Sequence, residues 1–195
     1  MRSMPSTLSP TLILIAANVA FYIYTSLLGK NSIATSNNVL AIYGQHTYAI
    51  LYRGYWWQLV TSMFVHVNIA HMAGNMFFLL IFGMRAEELF TDTEYYTIYF
   101  ASGLAGNLLS LVYIFYPAAV VSAGASGAIF GLFGAVIIFM RKVFGGSVTG
   151  ALLFAFLFFF ITLSASTNVY AHFGGLFAGL VIGYLLAWRR RAVLL

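Results

Sequence analysis

The chain has 195 residues, 62% of them hydrophobic and only 7% charged, with a net charge of +5 and no cysteine. A soluble domain carries about a quarter charged residues, so the composition excludes a water-facing surface all round and points to an all-α, polytopic membrane protein. The absence of cysteine excludes disulfides and thiolate metal sites. The basic residues are scattered between apolar runs, which fits a lipid bilayer and no nucleic-acid partner.

Six apolar segments are long enough, or nearly so, to cross a hydrocarbon core, which needs about 20 helical residues. They lie at about 10–28, 68–84, 95–115, 126–140, 148–164 and 170–188. The first is read as a retained span and not a signal peptide, because no small-residue cleavage site follows it. The connection after it, roughly 29–66, is the only long one and holds Tyr43, Tyr48, Tyr52, Tyr55, Trp56 and Trp57. Such rings favour the bilayer interface, so this segment is expected to lie in the membrane surface. No repeat and no separate soluble domain is evident, and residues 1–195 are expected to form a single membrane domain.

With six spans, Arg2, Arg85, Arg141, Lys142, Arg189, Arg190 and Arg191 share one side, and Lys30 and Arg53 share the other. That split puts both termini in the cytoplasm. Depth then follows from counting back from the inner basic residues at about 1.5 Å per helical residue. Ser126 lies about 22 Å from Arg141, His71 about 21 Å from Arg85 and His172 about 25 Å from Arg189 on that scale. Against a core of about 30 Å, polar groups on three helices share a depth roughly 5–9 Å below the outer boundary.

Glycines add a second constraint. His172, Gly175, Gly179 and Gly183 fall on one helical face, and Gly127, Gly131 and Gly134 form a similar stripe beside Ser126. Small residues at this spacing let backbones approach closely in lipid. If the two stripes face each other, Ser126 and His172 come within hydrogen-bond reach. The fourth segment is short, so the loop before it must dip into the membrane, where irregular backbone is tolerated only against protein or a wet cavity.

A histidine beside a serine can accept its hydroxyl proton and return it to a leaving amine. The four acids, Glu87, Glu88, Asp92 and Glu94, all fall in the inner second connection. This leaves a Ser-His dyad without a carboxylate. An oxyanion needs donors, and the candidates are the Ser126 backbone N–H and the side chains of His71 and Asn75. Zinc chemistry is disfavoured, since there is no HExxH and no carboxylate at that depth; no metal and no cofactor is expected.

A lone membrane serine most often bonds back to its own helix, and a lone asparagine is interhelical glue. Histidine is more suspect, because ionisable groups in lipid are costly. His66 is read as structural support for the first connection, and His46 has no evident partner. The shared depth moves Ser126 and His172 from packing to function.

These motifs together resemble the rhomboid family of intramembrane serine proteases over nearly the whole chain. Gly124-Ala125-Ser126-Gly127 is similar to the family's GxSG nucleophile motif. Ala171-His172, with Gly174, Gly175 and Gly179, is similar to the pattern around its histidine. His66, His71 and Asn75 match HxxxxHxxxN, and Gly83 to Glu87 resembles GxxxE. The resemblance implies a Ser126–His172 dyad, an oxyanion site from His71, Asn75 and the Ser126 backbone, and supporting roles for Gly124, Gly127, Phe130 and Gly175. It also implies cleavage of single-span transmembrane protein substrates near the outer face, by the bare six-span form of the fold in a prokaryotic plasma membrane. Two positions depart from the pattern. Gln58 follows Trp57 where many members have arginine, and Phe130 stands where tyrosine is frequent. The competing readings are a non-enzymatic binder of membrane helices, which would more often have lost the serine or histidine, and a small transporter, which would place polar groups nearer midplane.

Overall fold

The computed structural model describes residues 8–115, 121–145, 149–150, 153 and 168–194. The expected fifth span at 148–164 lies almost wholly outside the described residues. Helix α1 (Pro10–Gly29) is followed by three short helices, α2 (Asn37–Tyr43), α3 (Thr47–Arg53) and α4 (Gln58–Thr61), then by α5 (Ile69–Leu89) and α6 (Asp92–Leu109). The chain tightens into a 3-10 segment, Ser110–Phe115, before α7 (Ser126–Phe144) and α8 (Val169–Leu194). Strands β1 (Gln45–His46) and β2 (Val121–Ser122) pair antiparallel, with Gln45 opposite Ser122. Among the described residues, five helices are long and apolar enough to cross a membrane: α1, α5, α6 with its 3-10 extension, α7 and α8.

Local chemistry sets the helix ends. Pro10 opens α1, and the Ser9 hydroxyl accepts from the Leu12 N–H, satisfying one of the donors a helix start leaves over. Asn68 does the same for α5 at His71, and Thr91 with Glu94 forms a reciprocal capping box on α6. Helix α5 runs to Leu89, past the apolar run that suggested a stop near residue 84. Its last turn is polar but helix-competent, with Arg85 paired to Glu88 one turn on. Gly145, at φ 70°, closes α7. This puts Arg141 and Lys142 in the last turn, where cations oppose the negative end of the helix dipole.

Helix α7 is the central element. Of its membrane-length window 61% is buried, against 22% for α1 and 28% for α8. Helices α5, α6 and α8 all pack on α7, and α1 packs on α5. The core is Leu79, Phe82, Ala86, Ile98, Tyr99, Ala128, Ile129, Leu132 and their neighbours. In the first connection, Tyr52, Trp56 and Trp57 are exposed while Gln58 is wholly buried. The Gln58 amide donates to Ala41 O (2.9 Å) and Ile42 O (3.3 Å), and its Oε1 accepts from the His46 N–H (2.9 Å). At the position where the resemblance led to an arginine, one neutral amide ties α2 to β1.

Candidate active site

Ser126 is the first residue of α7, so its N–H is among those with no acceptor in their own helix. The turn before it requires glycine twice over. Gly124 has φ +127°, and a Cβ there would sit 2.8 Å from the His71 ring. The Gly124 N–H donates to Ser62 O at 2.8 Å, which fixes the turn against α4.

The glycine stripes of α7 and α8 do face each other. A Cβ on Gly175 would lie 2.0 Å from Gly127 O, one on Gly179 2.0 Å from Gly131 O, and one on Gly183 2.6 Å from the Ala135 backbone. The two backbones are therefore in van der Waals contact, which only hydrogen side chains permit. At the end of this contact, Ser126 Oγ lies 2.7 Å from His172 Nε2, and both residues are buried. The Phe130 ring packs on the His172 imidazole, centroids 4.6 Å apart and tilted by 34°. The start of α8 is pinned by Asn168. Its Oδ1 accepts from the Ala171 N–H (2.9 Å), and its amide donates to Ser110 Oγ (2.8 Å).

His71 and Asn75 stand one turn apart on α5. Together with Ser126, His172, Gly124 and Asn107 they line a cavity of about 420 Å³. The Asn75 amide donates to His71 O at 2.9 Å, which leaves its second N–H for other use. Asn75 Oδ1 and His71 Nδ1 are buried with no hydrogen-bond partner among the described residues. His66 does not reach the cavity lining. It is fully buried beside His71, rings 5.4 Å apart, and its Nδ1 donates to Phe64 O at 3.1 Å. Burial, and then the neighbouring His71, lower its pKa to about 3.

His46 does have partners. Its Nδ1 accepts from the Ala49 N–H to cap α3, and its own N–H is held by Gln58. The four acids are accounted for away from the cavity. Glu87 accepts from Ser9 Oγ (2.5 Å) and the Thr11 N–H (2.7 Å), Glu88 pairs with Arg85, Glu94 pairs with Arg190, and Asp92 starts α6. No carboxylate is among the described residues that line the cavity.

Asn107 escaped the sequence reading. Its side-chain amide donates to Leu59 O (2.8 Å) and Ser62 Oγ (3.0 Å), while its backbone carbonyl accepts from Gln45 Nε2 (2.7 Å). Since Ser62 O in turn holds Gly124, this chain of bonds supports the turn under Ser126. A polar residue late in the third span is the signal that would have found it, by the same depth count used for Ser126.

A family model described as the Rhomboid domain matches residues 53–189. The chain is 37% identical over 111 residues to rhomboid protease GluP of Bacillus subtilis (strain 168), covering 57% of this chain and 21% of GluP. It is 34% identical over 136 residues to the mitochondrial RHOMBOID-like protein 6 of Arabidopsis thaliana, covering 67% of this chain and 43% of that protein. It is 31% identical over 144 residues to the putative rhomboid protease YdcA of Bacillus subtilis (strain 168), covering 70% of each. The chain thus spans less than half of the first two relatives.

Proposed function

This chain is an integral membrane protein of the rhomboid family, and on that premise we propose that it is an intramembrane serine endopeptidase acting through a Ser126–His172 dyad. The observation that carries this reading is the 2.7 Å contact between Ser126 Oγ and His172 Nε2 at a cavity whose lining also holds His71, Asn75 and Asn107. Neutral His172 accepts the Ser126 proton as Oγ attacks the scissile carbonyl carbon. The resulting oxyanion takes hydrogen bonds from the Ser126 N–H and from the His71 and Asn75 side chains, held by α5 and α7 before substrate arrives. His172 then protonates the leaving amine, and the C–N bond breaks to leave an ester on Ser126. Water gives a proton to His172 as it attacks the ester; the C–Oγ bond then breaks, His172 returns that proton to Ser126 Oγ, and the carboxylic acid product leaves. Gly124, Gly127 and Gly175 support the site by allowing close backbone approach, and Phe130 holds the imidazole plane.

The substrates of this reading are single-span membrane proteins. A helical peptide bond is shielded, so the substrate must unwind near the outer boundary, where glycine or proline makes this easier. The distribution of Lys and Arg supports cytoplasmic termini and a cavity opening toward the outer face. Bacterial relatives support a prokaryotic plasma membrane, although other relatives are organellar.

The test is labelling of the purified full chain by a fluorophosphonate probe, beside Ser126→Ala and His172→Ala. Labelling confined to wild type is the expected result. A well-folded wild type that does not label would replace this reading with that of a non-enzymatic binder of membrane helices.

A further inference from the structure

The α7–α8 interface brings Ser126 to His172, and its centre is lined by small residues. Gly127, Gly131 and Ala135 on α7 meet Gly175, Gly179 and Gly183 on α8, each set repeating every four residues. At the edges of this seam large side chains enter as Leu176 over Gly134 and Ile138 over Gly183, so few knobs interlock with holes along its length. A slide of four residues, about 6 Å, would again place small residues against small residues. A slide of only about 1 Å would carry a 2.7 Å contact beyond hydrogen-bond range. Contacts at the ends of α8 add to Leu176, Ile138 and the Lys142–Tyr184 contact in holding the axial register against such a slide.

At the inner end of α8, Arg190 meets three other helices. Its guanidinium donates to Leu89 O at the end of α5 (2.5 Å) and to the Glu94 carboxylate in the first turn of α6 (2.6 Å). It also lies 4.9 Å over the Phe139 ring of α7 and 5.9 Å from Phe90. A planar fork bound at both nitrogens and stacked on a ring has a defined position along the helix axis, unlike a lone ammonium. Asn168 holds the outer end of the same helix through Ser110.

We infer that Arg190 is a positioning residue for His172, acting as the inner anchor that sets the axial register of α8 on α7. The catalytic part of this inference rests on the protease reading; the register part does not.

The test uses the full chain in liposomes, with spin labels on cysteines at Phe144 of α7 and Phe177 of α8, both more than 60% exposed. The helices run parallel, and these sites are about 22 Å apart along the axis at 1.5 Å per residue. Arg190→Ala is expected to broaden or move this distance by several ångströms and to slow fluorophosphonate labelling at least 10-fold. Arg190→Lys, which keeps the charge but loses the fork, should recover part of both, and Glu94→Gln should fall between. An unchanged distance in Arg190→Ala overturns the inference, whether labelling falls or not. A changed distance in a protein that never labels would sustain the register anchor and remove the protease reading. Should Arg190→Ala not fold, the Lys and Gln variants decide, and wild-type distances and labelling in both would overturn it.

Discussion

Replacing Gly175 by alanine sets a methyl against backbone and not against a movable side chain. The new Cβ would stand 2.0 Å from Gly127 O, and 3.0 Å is a separation that Cβ atoms essentially never undercut. Helices α7 and α8 must then part locally by about 1 Å, since neither backbone can turn aside. Ser126 adjoins Gly127 and His172 lies one turn from Gly175, so the same displacement opens their contact from 2.7 Å to roughly 3.7 Å, outside hydrogen-bond range. Misplacement by about 1 Å can lower turnover about 100-fold, while overpacking of this kind costs about 1–3 kcal/mol. The assay is the rate of fluorophosphonate labelling together with thermal unfolding in detergent. The expected outcome is a folded protein that labels about 100-fold more slowly. Phe177→Ala, on the exposed face of the same helix, should stay near wild type. A folded Gly175→Ala that labels within about twofold of wild type would refute the claim that backbone contact sets the dyad distance.

His71→Ala and Asn75→Ala should each lower the turnover of a peptide substrate by roughly 100- to 1,000-fold, the range for losing one oxyanion donor, with melting temperature changed little; loss of fold instead would make these residues structural. Burial keeps His66 neutral in the folded state down to about pH 3, whereas the unfolded chain takes up that proton below about 6.5. Its contribution is therefore full above pH 6.5 and is lost at up to about 1.4 kcal/mol per pH unit as pH falls from there toward 3. Unfolding measured from pH 7.5 to 4.5 should show a shallower decline in His66→Gln than in wild type, and parallel curves would contradict this. Gln58→Ala removes three hydrogen bonds and takes the Gln58 partner from the His46 N–H and the Ala41 carbonyl, while Ile42 O keeps the Trp57 Nε1–H. It should destabilise the fold by about 1–3 kcal/mol for each buried group left unsatisfied, read as a lower melting temperature, with the dyad still reactive in the folded fraction.

The sequence by itself determined the environment and the helices. Composition requires lipid, because 7% charged residues cannot cover a soluble surface. Apolar run length predicts the helices that flank Ser126, His71 and His172, because a helix is the structure that satisfies every backbone polar group within one segment in a bilayer. The common depth of those residues could be counted from the basic residues because rise per residue is fixed. What a one-dimensional count cannot supply is azimuth and axial register. The glycine stripes say that two faces approach closely, but not that Gly175 stands on Gly127 and not on Gly131, and the end contacts of Asn168 and Arg190 bear on that choice. Nor could run length show that α5 continues to Leu89 or that α7 reaches Phe144, since polar final turns are held by pairing and dipole interactions and not by hydropathy. The bonds from Gln45 through Asn107 and Ser62 to Gly124 join residues up to 62 positions apart. Only tertiary structure decides such bonds, because a buried amide finds its partner by packing and not by spacing along the chain.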